Sequence, residues 1–343
     1  MKKLSPLHNC FQLLKVLRTF LGKRRREKRN KRNLTANYQY DISKFSVFGC
    51  PNRNFKTRGH ITAYLLMLAH SIEKGLSFTN PHIWFGWDKA VELARHSKNY
   101  SDKYGSDWVH AMCCSALDAY LKAFERATPP CQIELTIIKK ATQQSPSGIT
   151  SKAGIKNFKP QEFNFGQDVD FNRFFTTRFS VRQFANKSVS KECIDVAARW
   201  AQRAPSVCNR QSARLNIYPN DELGARILSC QNGNRGFGHM ADKIGIVTVD
   251  LENFLSIGER NQAWVDGGLF AMTFIWALHA QGLASCCLNW SVEFGHDKRL
   301  RKVVSLPQNE VVIMLLLIGH YPEELTVPVS PRRPLTDIIR YHI

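Results

Sequence analysis

Apolar positions along the chain follow two regimes, helical spacing in the first part and helices alternating with short apolar runs in the second. Near the start, Leu7, Phe11, Leu14, Leu17 and Leu21 recur at steps of three and four, the stripe of an amphipathic helix over 4–21. Ile61, Tyr64, Leu65, Leu68 and Ile72 repeat that spacing, with Gly75 as the expected stop. Residues 90–95 and 108–126 predict two more helices, the second carrying Val109, Met112, Ala116, Tyr120 and Phe124 on one face. The intervening stretch 73–87 is dense in aromatics, Gly and Pro, and reads as a packed loop in preference to a binding edge.

The pattern changes after residue 140. Residues 141–165 are polar and rich in Ser, Gly, Pro and Lys, a linker between a helical domain at 36–140 and a second domain at 166–343. In the latter, Ser190 is the expected N-cap of a helix reaching 203. Strands are predicted at 215–218 and 244–249, helices at 222–229, 261–280 and 299–304, and a central strand at 311–319. Helices and strands alternate without a strict βαβ rhythm, so the fold class is α+β. From 267 to 290 no residue carries a fixed charge, which a hydropathy window would flag as a membrane span. Gly267, Gly268, His279, Gln281 and Gly282 instead divide it into a buried core helix and a following loop.

Composition adjusts this picture at three points. A length of 343 residues suits two domains, and 43% apolar with 22% charged residues is globular. Lys and Arg number 48 against 28 Asp and Glu, a net +20 that raises nucleic acid, an anionic membrane or a phosphorylated ligand as partner. Residues 1–35 hold twelve of those cations against Glu27 alone, a net +11 that leaves only +9 for the rest. This basic amphipathic tail has neither the uninterrupted apolar stretch nor the cleavage site of a secretory signal. It is open to three readings: contact with an anionic membrane surface, a solvated or self-packing tail, and nucleic-acid contact. The last is disfavoured, because the run 23–32 contains no aromatic residue for base stacking. The ten cysteines include the adjacent pairs Cys113–Cys114 and Cys286–Cys287 but no C-x-x-C and no zinc spacing. A reducing, cytoplasmic setting without a structural metal is expected.

Three clusters in the second domain carry candidate chemistry. In RFSVRQF, Arg178, Ser180 and Arg182 alternate, which in an extended segment places phosphate-binding groups on one side. In SPRRPL, Arg332 and Arg333 sit between prolines on a stiff backbone. In APSVCNRQ, Ser206, Asn209 and Gln211 are uncharged donors and acceptors suited to a flat heterocycle, although Pro-Ser and Asn are also ordinary helix-ending residues. Charge runs are usually solvated faces, so each fragment alone is weak.

Taken in order, these pieces resemble the nitroreductase-like FMN-dependent oxidoreductase family over about 170–343. Asp266-Gly-Gly before the long apolar helix, the Gly282-Leu-Ala-Ser-Cys stretch after it and Gly319-His-Tyr-Pro complete the resemblance. The region 36–140, with HSIEKGLS at 70–77, resembles the N-terminal extension of nitroreductase-like proteins from polysaccharide gene clusters. The resemblance implies a nitroreductase-like FMN-binding fold, a mixed sheet flanked by helices, in a homodimer with two FMN molecules at the subunit interface. It places Arg178, Ser180 and Arg182 on the phosphate and ribityl chain, with Arg332 and Arg333 completing the clamp. Pro205, Ser206, Asn209 and Gln211 would reach the flavin of the partner subunit, and Cys287, Leu288 and Asn289 would run beside the ring. Asn234 and Arg235 are assigned to the pyrimidine edge.

The implied activity takes hydride from NADH or NADPH and passes it to a small-molecule organic acceptor by a ping-pong mechanism, with no side-chain nucleophile or acid–base pair required. The alternative is a non-catalytic, scaffolding flavin-fold protein at a membrane surface, in polysaccharide biosynthesis. Two departures stand out. Ser330 or Pro331 occupies a position where the family often has a basic residue, and little chain between Pro219 and Lys243 is available for a lid. Either the site is open or the N-terminal helices cover it.

Overall fold

The computed structural model describes residues 6–78, 80–146, 148–149, 151–157, 159, 169–328, 330 and 332–342, with the side chains of 6–19 outside that description. Its first element, α1 (Pro6–Phe48), is one helix of 43 residues. It runs through residue 35, so the basic segment and the start of the helical region are continuous.

Helices α2 (Arg58–Leu76), α3 (Trp87–Tyr104), α4 (Trp108–Ala123) and α5 (Gln132–Gln143) form a helical unit. Thr57 caps α2 by accepting the His60 N–H, and Asp107 caps α4 by accepting those of Val109 and His110. The predicted stripe of α2 is buried, with Tyr64, Leu65, Leu68 and Ile72 against Leu93, Leu117 and Ile138. Gly75 is not a stop beyond the helix. It lies inside α2, where a Cβ would run into the Phe85 ring, so its role is close approach. The aromatic stretch is packed: Trp84 Nε1 donates to the Thr128 carbonyl at 2.8 Å and Tyr120 donates to that of Phe85 at 2.7 Å. Part of the segment after α5 lies on this unit, with the N–H groups of Ala153 and Gly154 donating to Ser115 and Glu73.

The second unit contains α6 (Phe171–Thr176), α7 (Lys191–Ala201), β1 (Ala213–Pro219), α8 (Glu222–Leu228) and β2 (Lys243–Asp250). It continues with α9 (Gln262–Ala280), β3 (Leu283–Asn289), α10 (Phe294–Val303) and β4 (Glu310–His320). Ser190 caps α7, as its position predicts. The strands form a sheet in the order β1-β2-β4-β3. Alternate residues of β4 serve its two faces. Leu316 and Ile318 pack with α7 and α9 through Ala197, Phe274 and Leu278, while Leu315 and Leu317 pack with α8 and α10 through Ile227 and Leu300. The class is α+β.

Two expectations are corrected. The sheet is not mixed among the described residues: every strand pair is antiparallel. α9 carries the chain from β2 over to β3, which runs in the same direction, but β4 inserts between them and opposes both. The stretch after α9 is not a loop but the strand β3, paired with β4 from Leu283 to Asn289. Its small residues Ala284, Ser285 and Cys286 carry weak strand propensity, and long-range pairing decides the matter.

The two units share packing. Leu255, from the loop after β2, belongs to the core of the helical unit. Phe45 and Phe48 of α1 pack on Val249, Leu251 and Phe254. Gly59 abuts the Glu252 side chain so closely that a Cβ would collide with it. α1 is also pinned to the second unit by Tyr40, which donates to Asp297 at 2.6 Å, and by Lys44, which donates to the Gln308 carbonyl at 2.6 Å. No helix of the described residues is long and apolar enough to cross a membrane. α9 buries Ala263, Ala271, Phe274 and Leu278 as a core helix should.

Candidate functional site

The segment 178–185 lies extended along the outer edge of β3. Val181 donates its N–H to the Ser285 carbonyl at 2.9 Å, and Ala185 donates to that of His320 at 3.0 Å. Val181 is fully buried, at 0% exposure, which turns its neighbours on either side outward. Arg178, Ser180 and Arg182 therefore line one cavity of about 210 Å³, and Arg332 joins them from the C-terminal segment. Arg333 is exposed and does not line it.

Among the described residues none of Arg178, Arg182 and Arg332 forms an ion pair. Arg178 lies over the Trp276 ring at 5.8 Å and Arg182 over that of Phe237 at 5.5 Å. Arg332 donates to the Ser330 carbonyl at 2.6 Å. Arg182 also donates to the Ser180 carbonyl at 3.3 Å, and the guanidinium donors that remain open face the cavity without an anionic partner among the described residues, an arrangement suited to an anion.

Behind Arg178 sits an aromatic group of Phe174, Phe175, Trp276 and His279. Burial, joined by the positive charge of Arg178 and opposed by a hydrogen bond to Phe174, holds the His279 pKa below its usual value. His279 Nε2 lies 3.1 Å from the Phe174 carbonyl, which can only accept, so Nε2 carries the proton. Nδ1 then accepts from the Tyr321 hydroxyl at 3.1 Å. A neutral imidazole adds no second cation beside Arg178.

The segment 205–212 is a strained loop. Cys208, Asn209 and Gln211 have φ near +50°, the left-handed region that non-glycine residues enter at a cost of about 1–3 kcal/mol each. Arg210, only 2% exposed, holds the loop from inside. Its guanidinium donates to the carbonyls of Val207 and Asn253 and to both oxygens of Glu259. Asp266 holds the other side, accepting the Val207 N–H at 3.2 Å and the Gln262 amide at 2.8 Å. The strain leaves Pro205, Asn209 and Gln211 exposed.

The remaining predicted residues divide. Gln231 Nε2 donates to the Asn289 carbonyl at 3.0 Å, which ties the loop of Asn234 and Arg235 to the end of β3. Arg235 is exposed, whereas the Asn234 amide nitrogen is engaged inside its own loop by Leu228 and Gln231. Leu288 is buried in the sheet core, so only its backbone faces the β3 edge; Cys287 is exposed. Pro205, Ser206 and Gln211 line a different cavity from the arginines, one of about 720 Å³, and Asn209 lines neither. Within one chain the predicted residues thus form two separate half-sites. Sequence reasoning missed Trp276, His279 and Tyr321, whose spacing signals only a helix face and a strand end. It also missed Arg210, which reads as one more surface cation.

Residues 175–232 match the model described as "Nitroreductase family". Iodotyrosine deiodinase 1 of Sus scrofa is 21% identical over 208 residues, covering 52% of this chain and 71% of its own. A nitroreductase family protein of Clostridium difficile 630 aligns at 23% identity over 51% of this chain and 99% of its own, with a TM-score of 0.44. An FMN-dependent nitroreductase of Clostridium difficile R20291 aligns at 20% identity over 50% and 98%, with a TM-score of 0.43. The family match thus falls at the start of the second unit, over the segment that carries Arg178, Ser180, Arg182 and the strained loop.

Proposed function

We propose that this chain is an FMN-dependent oxidoreductase that takes reducing equivalents from NADH or NADPH and delivers them to a small organic acceptor. The observation that carries the reading is the cluster of Arg178, Arg182 and Arg332 with Ser180 around one small cavity, without a carboxylate partner among the described residues. The donor set fits a phosphate monoester: hydrogen bonds to such a dianion are charge-assisted and contribute about 1.5–3 kcal/mol each. Bound FMN supplies the two-electron chemistry, and one resident cofactor serving two substrates in turn gives ping-pong kinetics.

The protein's own residues position the cofactor and shield it. Arg178, Arg182 and Arg332 hold its phosphate, while the neutral His279 keeps Arg178 as the cation on that flank. Cys287, the Leu288 backbone and Asn289 flank the ring along β3. The strained loop presents Ser206, Asn209 and Gln211 to the cofactor of a partner copy, which accounts for their distance from the arginines. A homodimer is supported by the exposed apolar stripe of α9, Trp264, Val265, Leu269 and Met272, and by Leu335 and Ile338 in the C-terminal segment. Arg235, exposed on the loop tied to the end of β3, is assigned to the pyrimidine edge, and Arg333 remains an outer cation.

A second reading rests on α1. Its residues 20–32 are exposed throughout and carry eight Lys and Arg, a surface suited to anionic lipid at the inner face of a membrane. In that reading the flavin fold serves as a scaffold in polysaccharide assembly. An absorbance spectrum of the purified chain before and after NADH or NADPH under anaerobic conditions separates the two. Yellow protein that bleaches supports the reductase, whereas bound flavin that neither cofactor reduces supports the scaffold. Protein that cannot be loaded with FMN overturns the reductase reading.

A further inference from the structure

The seam between the two units holds the cavity of about 720 Å³, a solvent-open cleft within the size range of small-molecule sites. One wall is the helical unit, through Thr62 and Leu66 of α2 and Trp108 at the start of α4. The second unit contributes Arg199 of α7, Phe270 of α9, and Ser206 and Gln211 of the strained loop to the same lining. The wall is fixed in place. Gly59 lets α2 press against Glu252, and Leu255 anchors the second unit in the helical core.

The chemistry of the lining follows from which groups are already engaged. Asp195 is held by Lys191 at 2.5 Å, and Asp266 by the Val207 N–H and Gln262. Arg210 is bound to Glu259, and Arg214 to the carbonyls of Gln211 and Ala213. Arg199 has no hydrogen-bond or ion-pair partner among the described residues. Trp108 is 48% exposed, a large indole left facing solvent. Among the described residues neither its ring nor its N–H has a polar or aromatic partner. What this cavity offers a ligand is an aromatic face, an apolar flank of Leu66 and Phe270, and one uncompensated guanidinium.

We propose that the helical unit forms one wall of the acceptor pocket, and that this pocket selects a planar aromatic anion. The ring rests on Trp108 and the anionic group pairs with Arg199. Calling the ligand the acceptor rests on the flavin reading above, because Ser206 and Gln211 in the cavity lining are the residues assigned there to the partner's cofactor. The binding itself needs only the cavity. Arg199 then acts as a specificity-determining residue, and the helical unit replaces the lid that the short 219–243 segment cannot build.

Calorimetric titration of the full-length, FMN-loaded chain with 4-nitrobenzoate and with neutral nitrobenzene tests this. 4-Nitrobenzoate should bind at least ~10-fold more tightly, the difference expected for one charge-assisted contact. Trp108→Ala should weaken both probes about tenfold, the effect of losing an aromatic contact. Arg199→Ala should abolish the preference for the anion and Arg199→Lys should restore part of it. FMN content and melting temperature should stay unchanged in all three variants, since both side chains lie outside the packed cores. Equal affinities for the two probes, or binding indifferent to Trp108→Ala and Arg199→Ala in FMN-loaded protein, overturns the pocket assignment and leaves the flavin reading standing. Binding with the expected dependence on both residues in protein that takes up no FMN supports the pocket and overturns the flavin reading.

Discussion

The arginines of the two half-sites look alike in sequence and behave in opposite ways. Arg178, Arg182 and Arg332 face a cavity, lean on rings or on their own backbone, and meet no carboxylate among the described residues. Arg210 is buried, with Glu259 and two backbone carbonyls occupying its donors. An arginine whose donors are all used is part of the scaffold. One whose donors are left open at a concave surface is available to a ligand. Local sequence is blind to this distinction, since both kinds sit among small polar residues; only the long-range partner, Glu259, separates them.

The comparison can be broken most sharply at the open cluster. The pair Arg178→Ala and Arg332→Ala should remove ~3 kcal/mol or more of phosphate binding, and so weaken FMN retention at least ~100-fold. The denaturation midpoint of the FMN-free protein should not move, since neither side chain has an ion-pair partner among the described residues. Flavin titration of the double variant checks this, and unchanged retention would mean the cluster is not the phosphate site.

Arg210→Ala should do the reverse and cost about 3–5 kcal/mol of stability, because it leaves Glu259 half-buried and uncompensated. Its pH dependence carries the sign. Burial alone would raise the Glu259 pKa, but the Arg210 hydrogen bonds, the Leu255 N–H and the charge of Arg210 outweigh it and leave it below the usual value. A carboxylate depressed on folding stabilises the native state above its unfolded pKa, about 4.3, and loses that contribution as pH falls through the folded value. Denaturation midpoints of the parent should therefore fall steeply below about pH 4.3, and those of Arg210→Ala less steeply. Parallel curves would deny the pair its role.

The smallest effect belongs to Lys191, whose ion pair with Asp195 is exposed on α7. Lys191→Ala should leave both midpoint and FMN retention unchanged, since exposed pairs are screened by solvent. A measurable loss would show that partnered charges at this surface matter beyond their immediate contacts.

Much of the frame was legible from periodicity and capping. Ser190, the α9 helix and the nine-residue run of β4 announce themselves locally. So does the alternation of Arg178, Ser180 and Arg182, because it needs only an extended backbone. What escaped depends on distant chain. β3 is a strand because β4 and the 178–185 segment flank it, Gly75 is needed because Phe85 packs over it, and α5 has too short a stripe to stand out. The cavity between the units could not be read at all, since its walls come from α2, α4, α7 and α9.

Leu255 has a broader consequence. Its side chain belongs to the core of the helical unit, while its N–H donates to Glu259 at 2.7 Å, the carboxylate that holds Arg210 and through it the strained loop. One residue thus couples the folding of four helices to the posture of Ser206 and Gln211. By thermodynamic linkage, whatever grips that loop also tightens the helices, and whatever loosens the helices weakens the grip to the same extent. The first half of the chain is a thermodynamic partner of the second, and cutting it away would change the affinity of the loop that carries Ser206 and Gln211 for whatever it binds.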